Sequence, residues 1–213
     1  MDGPKIIEPG RPRRQRNARG EGGRLRDELI EAALDVIAHD GNADAATLRA
    51  VARRAGVSAP SVYLHFADRD ALFAALVVRL FDDLTDSLDR VIGALDPGTS
   101  PVHALRAGCR AYVDFGLDNP GHYRLLFDEP VTLIESEPHL AADDALGTLV
   151  DAIAGCQAVG AAREGNPYTM AVTIWSALHG IVMIAISGRG SPEPSIDTML
   201  ELVLSGVTGV TFG

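Results

Sequence analysis

The 213-residue sequence predicts an all-α fold of about nine helices: a three-helix head, a long fourth helix, and a helical body. Apolar residues recur three and four positions apart almost throughout, the period of a helix with one buried face, and the alternation of half-buried strands is missing. Pro, Gly, Asn and Asp gather at regular breaks between the periodic runs, where helices stop and start. A hydrophobic share of 46% with 23% charged residues is an ordinary globular balance, and the length suffices for real cores without staples.

Between residues 24 and 39, Leu25, Leu29, Ala32, Ala33, Val36 and Ile37 form one stripe, and Gly41 suits the stop. Thr47 stands as N-cap before Leu48, Val51 and Ala52, and Gly56 closes that short helix. Ser58 opens a third helix running to about Phe66. Asp68 opens a fourth, whose stripe runs from Leu72 and Phe73 through Leu76, Leu80 and Leu84 to Leu95. The stretch 96–101, Asp-Pro-Gly-Thr-Ser-Pro, is the clearest break in the chain. Beyond it the pattern predicts helices at about 101–118, 120–128, 138–158, 167–188 and 194–208, with Pro near most starts. Three regions follow: an Arg-rich arm (1–23) whose composition predicts disorder, a head (24–67), and a body (68–213).

The net charge of −10 argues against a nucleic-acid partner only until the charges are placed. Up to Phe66 there are eleven Lys/Arg against nine Asp/Glu, and beyond it eight against twenty. Seven arginines fall between Arg11 and Arg26. A small basic end is therefore attached to an acidic body, and an arm of this kind is either a solvated tail or a segment that orders on DNA.

Residues 47–66, Thr-Leu-Arg-Ala-Val-Ala-Arg-Arg-Ala-Gly-Val-Ser-Ala-Pro-Ser-Val-Tyr-Leu-His-Phe, carry the functional signal. Two short helices that meet at a wide angle need a small residue at the crossing, here Ala52, and a residue free to take positive φ at the turn, here Gly56. Val57 and Val62 plug the junction. This is the pattern of a helix-turn-helix. Phe66 suits the core, Tyr63 an exposed position, and Arg53 and Arg54 either solvent or phosphate.

The combination Thr47, Ala52, Gly56-Val57-Ser58, Val62-Tyr63-x-His65-Phe66 and Asp68-Arg69-Asp70-x-Leu72 resembles the DNA-binding head of TetR-family transcriptional regulators over residues 25–73. Asn119-Pro-Gly-His-Tyr-Arg-Leu-Leu-Phe127 and Trp175-Ser-Ala-Leu-His179-Gly180 are similar to the C-terminal domain of the WHG subgroup. The resemblance implies that Thr47, Tyr63, His65 and Arg69 contact phosphates and that Ser58, Ala59, Pro60 and Ser61 face the bases. Phosphate affinity at a helix N-terminus agrees with the place of Thr47 and Arg69. Ala59 and Pro60 offer no side-chain donor, so base reading leans on Ser61, thymine methyls or DNA shape. The resemblance also implies a homodimer joined through the last two helices, reading a near-palindromic operator, and a repressor released by a small hydrophobic effector.

For the effector, the body offers Tyr112, Phe115, Tyr123, Phe127, Trp175, His179 and Met183 as candidate wall residues. Trp175, His179 and Met183 lie four apart and share a face; core packing, and for His179 a structural hydrogen bond, are the alternatives. Gly180 is expected to allow a close helix crossing. Residues 170–186 hold no charge, which predicts a helix buried in a core or a subunit interface rather than a membrane span.

Other classes are poorly supported. The only cysteines, Cys109 and Cys156, lack a CxxC arm, so a disulfide or zinc framework is excluded. His103, His122, His139 and Asp143-Asp144 fall into no HExxH, nucleophile-elbow or phosphate-loop arrangement, so neither an enzyme nor a metal or cofactor site is expected. An architectural DNA-binding protein without ligand control remains as an alternative, and it predicts a body without a cavity. The first residues lack the apolar core of a signal peptide, and a cytoplasmic location is expected.

Overall fold

A computed structural model describes residues 22–128, 137–190 and 194–210, with the side chains of 22, 128 and 137–141 excepted. Nine α-helices and one short 3-10 turn make up these residues, and no strand occurs among them. The Arg-rich arm lies outside them, apart from Gly22 and Gly23, which open the first helix.

The head is α1 (Gly22–Asp40), α2 (Leu48–Ala55) and α3 (Ala59–Tyr63). Leu29, Ala33 and Ile37 bury the stripe of α1, which stops where Gly41 takes φ 65° and donates its N–H to the Ile37 carbonyl at 2.8 Å. A 3-10 turn, Ala43–Ala45, which the sequence pattern does not announce, follows with Asn42 capping it through Asp44 N–H. The Thr47 hydroxyl accepts from Ala50 N–H at 3.2 Å and so starts α2. Gly56 ends it at φ 70°, a left-handed conformation that a Cβ would strain.

The third helix ends at Tyr63, short of the expected Phe66; the His65 N–H donates to the Val62 carbonyl three residues back at 2.9 Å, the tighter pattern of a closing turn. Asp68 then caps α4 (Arg69–Gly93), its carboxylate accepting from Ala71 N–H at 2.8 Å. Twenty-five residues make this helix about 37 Å long. It is shared property: Leu72 and Leu76 close the head, and Leu84 and Leu88 belong to the body.

The body holds α5 (Pro101–Asp118), α6 (Pro120–Asp128), α7 (Glu137–Ala158), α8 (Pro167–Ile186) and α9 (Ile196–Thr208). Ser100, Asn166 and Ser195 cap α5, α8 and α9 by accepting backbone N–H bonds. The α4 helix packs on α5 and α7, while α8 lies between α5, α7 and α9. Head and body meet where α6 crosses α1: His122 Nε2 bonds the Leu34 carbonyl at 3.0 Å, and a Cβ on Gly121 would lie 3.2 Å from the Ile37 carbonyl oxygen.

Two expectations are corrected. Nothing approaches within 4 Å of a Cβ built at Gly180, so it makes no close crossing within the chain; Gly116 does, where a Cβ would come 2.5 Å from Val182 and 2.8 Å from Tyr123. Nor is α8 buried all round. It is long and apolar enough to cross a membrane, yet only 28% of its most apolar window is buried, and its open face runs along Thr169, Thr173, Ser176 and Ile184.

Candidate DNA interface and effector cavity

In the head, Val51, Ala52, Val62 and Phe66 are buried, which holds α3 across α2 and turns the other face of α3 outward. The Ser58 and Ser61 hydroxyls meet at 2.7 Å, so Ser58 spends its side chain on Ser61 rather than on a backbone cap. Pro60 is exposed and Ala59 half-buried beside them. Tyr63, the last residue of α3, is 54% exposed, and His65, two residues past its end, is half-buried.

Leu64, between them, is 84% exposed and escaped the sequence reading. Its signal was available: two residues past Val62 on a helix lies on the far side from the core, and an apolar residue there has nothing in the chain to cover it. Arg69 is held at the start of α4, paired with Asp44 at 2.9 Å and stacked over Phe73 at 4.0 Å. Arg54 is drawn to Asp35 at 2.7 Å, and Arg26 lies over Phe66 at 5.3 Å. Arg49 and Arg53 are exposed on α2. Of the eight residues named for DNA, Thr47, Ser58, Pro60 and Tyr63 are exposed and Ala59, Ser61, His65 and Arg69 half-buried, with Thr47 and Asp68 capping the helices on either side of α3.

The body holds a partly open cavity of about 520 Å³, between α4, α5, α7 and α8. Its wall includes Phe81, Leu84 and Leu88 of α4, Cys109 of α5, and Leu146 and Leu149 of α7. Of the seven effector candidates, Tyr112, Phe127 and Trp175 line it.

The other four do not. Tyr123 is fully buried behind the wall, where its hydroxyl bonds Tyr112 at 2.8 Å and His179 Nδ1 at 3.0 Å. His179 is therefore held by a structural hydrogen bond, one turn beyond Trp175. A step of four residues drifts about 40° round a helix, so the run Trp175, His179, Met183 leaves the cavity, and Met183 packs against the core. Phe115 lines a separate polar recess with Asp83, Asp86 and Asp118. The next position on the cavity side of α5 after Tyr112 is Gly116, already filled by Tyr123 and Val182. Sequence could not separate Leu84 or Leu146 from ordinary core, because wall and core draw on the same residue types.

Tyr112 and Cys109 of the wall hold their protons at neutral pH. Burial pushes the Tyr112 hydroxyl up to about 12 and the Cys109 thiol up to about 12, and it raises Tyr123 and Cys156 as well. Both cysteines are free and buried. Among the described residues no cluster of His, Cys, Asp or Glu is placed to hold a metal ion.

Residues 29–76 match the family of bacterial regulatory proteins, tetR family, and residues 105–207 match the tetracyclin repressor-like C-terminal domain. The chain is 30% identical over 185 residues, 87% of its length and 81% of the relative's, to an uncharacterized HTH-type transcriptional regulator of Mycobacterium tuberculosis. It belongs to the TetR family. The helix-turn-helix of α2 and α3 is accordingly its DNA-binding element, and the protein is a transcriptional regulator. A second relative, the HTH-type transcriptional activator FasR of Mycolicibacterium smegmatis, is 33% identical over 58% of this chain and 53% of its own. Among solved structures, a protein with unknown function from Rhodococcus sp. RHA1 matches with a TM-score of 0.73 at 27% identity, covering 86% of this chain and 93% of that one.

Proposed function

We propose that this TetR-family regulator is a cytoplasmic homodimeric repressor that leaves its operator when a small hydrophobic effector fills the cavity of the body. The observation that carries the reading is the 520 Å³ apolar cavity walled by α4, the helix whose first turn holds Arg69 beside the DNA-binding face. Ligands favour whichever state they bind better, so an effector that reshapes the wall at Phe81 and Leu84 biases the position of the head through one rigid helix. A body without ligand control has no use for such a volume. The binding element carries Thr47, Tyr63, His65 and Arg69 for phosphates and Ser58, Ala59, Pro60 and Ser61 for the groove, with Leu64 added for contact with thymine methyls.

The open face of α8, free of charge from Thr169 to Ile184, supports pairing with a second copy, with exposed Leu202 of α9 beside it. Two heads then read half-sites roughly one helical turn, ~34 Å, or somewhat more apart. The WHG-like motifs at 119–127 and 175–180 fit this arrangement, because they supply Tyr123, Phe127, Trp175 and His179 of one aromatic cluster. The relative named as an activator favours a second reading, in which the effector-bound form turns transcription on.

Duplexes selected from a random pool by the purified protein provide the test. A palindromic consensus, a dimer mass by light scattering and release by an apolar ligand bear the proposal out. A monomer, or a body in which no ligand alters DNA affinity, overturns it, and a promoter reporter gives the sign of regulation.

A further inference from the structure

We propose that the cavity selects by charge: its effector is an uncharged lipophile, and amphiphiles whose ionised carboxylate or phosphate enters the cavity are rejected. The inference rests on the reading of this cavity as the effector site. Its first support is the wall, where no lysine, arginine or histidine stands among the described lining residues and Asp143 is the one carboxylate among them.

The second support is where the cations of the body are. The chain has a single lysine, Lys5, so every permanently charged cation beyond Phe66 is an arginine. Arg79, Arg106 and Arg110 are held in ion pairs with Asp83, Glu201 and Asp114 on outer helix faces. Arg124 donates to the Ile186 carbonyl at 2.9 Å, and Arg90, Arg163 and Arg189 are exposed. Arg69 belongs to the DNA-binding end. None of them lines the cavity.

The third is that two hydroxyls of the wall already have partners. The Tyr112 hydroxyl meets Tyr123, and the Thr148 hydroxyl donates to the Asp144 carbonyl at 3.4 Å. An anion inside such a wall gives up its water and finds neither countercharge nor a free fork of donors, whereas a hydrocarbon body with an alcohol or ester loses little. A volume of 520 Å³ is in the range of pockets for drug-sized ligands, roughly 300–1,000 Å³.

Trp175, the only tryptophan of the chain, lines the cavity and reports its filling. The test is a fluorescence titration of the full-length protein at about pH 8 with dodecanol, methyl dodecanoate and dodecanoate, each below its micelle concentration. The alcohol and ester are expected to shift the Trp175 emission saturably, with dodecanoate at least ~tenfold weaker. Thr148→Lys places a cation at the wall, and dodecanoate is then expected to gain about tenfold while dodecanol changes little. Dodecanoate binding the unmodified protein as tightly as dodecanol overturns the charge selection and leaves the effector site standing. If none of the three alters either Trp175 emission or DNA affinity, the effector-site reading itself falls and takes the selection with it. The comparison in the unmodified protein decides the matter even if Thr148→Lys does not fold.

Discussion

In the head, Val51, Val62, Phe66 and Leu72 meet at the crossing of short helices and are all but sealed from water. In the body, Phe81, Leu84, Cys109 and Leu146 stand around an open volume of about 520 Å³. The residue types are the same, and the use is opposite. The head fills its interior and turns Tyr63 and Leu64 to solvent. The body leaves part of its interior unfilled, and no lysine, arginine or histidine stands among the described residues of that wall. One helix, α4, runs through both, closed against the head at Leu72 and bordering the cavity at Leu84.

The largest effect expected from this contrast is on stability. Leu72→Ala and Leu84→Ala remove the same atoms from side chains that are both almost fully buried. A leucine packed on all sides leaves a new void behind it, so Leu72→Ala is expected to cost about 4 kcal/mol. Leu84 already lacks neighbours on its cavity side, and its loss should cost about 2 kcal/mol. Urea unfolding of the two variants measures the difference, and equal losses would break the distinction between a closed head and a hollow body.

Alkaline titration sharpens the same comparison from the side of the body. An ordinary tyrosine loses its proton near pH 10, whereas burial holds Tyr112 up to about 12. Between about pH 10 and about 12 the unfolded chain has given up this proton and the folded chain has not. The native state then binds more protons, so stability falls as pH rises through that window. Cys109, raised in the same way, adds a contribution of the same sign. Thermal unfolding across this range should show the decline, and Tyr112→Phe should flatten it. An unchanged slope in the variant would mean that the wall is wetter than its geometry implies.

How much of this was legible follows the same division. Caps and turns of the head are local devices, and Thr47, Gly56 and Asp68 stand in the structure where their chemistry put them in the sequence. The position of Leu64 was legible too, since two residues past buried Val62 is the far side of a helix, although its apolar side chain drew no attention to it. In the body the helices were legible and the cavity was not. A void is a relation among α4, α5, α7 and α8, and no residue type marks it. Tyr123 illustrates the limit: expected in the wall, it stands behind it because Gly116 leaves room for its ring there. His179 bonds that ring's hydroxyl instead of facing a guest.

On DNA, the exposed face of the head should divide into two kinds of residue. Tyr63→Ala removes a contact to the backbone and is expected to weaken binding about tenfold on every duplex alike. Ser61→Ala touches only the groove and should alter the preference among sequences by about 1 kcal/mol at one position. Competition binding against single-base variants separates the two, and the reverse pattern would exchange the roles.

The smallest effect concerns the arm, which lies outside the described residues and on which the comparison of basic end and acidic body still depends. Five of the clustered arginines, Arg11, Arg13, Arg14, Arg16 and Arg19, precede α1. Each phosphate that an arm neutralises adds about 0.9 to the slope of log affinity against log salt. Deleting residues 1–21 removes one arm from each copy, so a single contact per arm makes the slope shallower by about 1.8 in a dimer. Affinity at low salt should fall with it, and the preference among sequences should remain. An identical slope and affinity after the deletion would reduce the arm to a solvated tail, leaving the head's own exposed arginines, Arg49 and Arg53, as the basic counterpart to the acidic body.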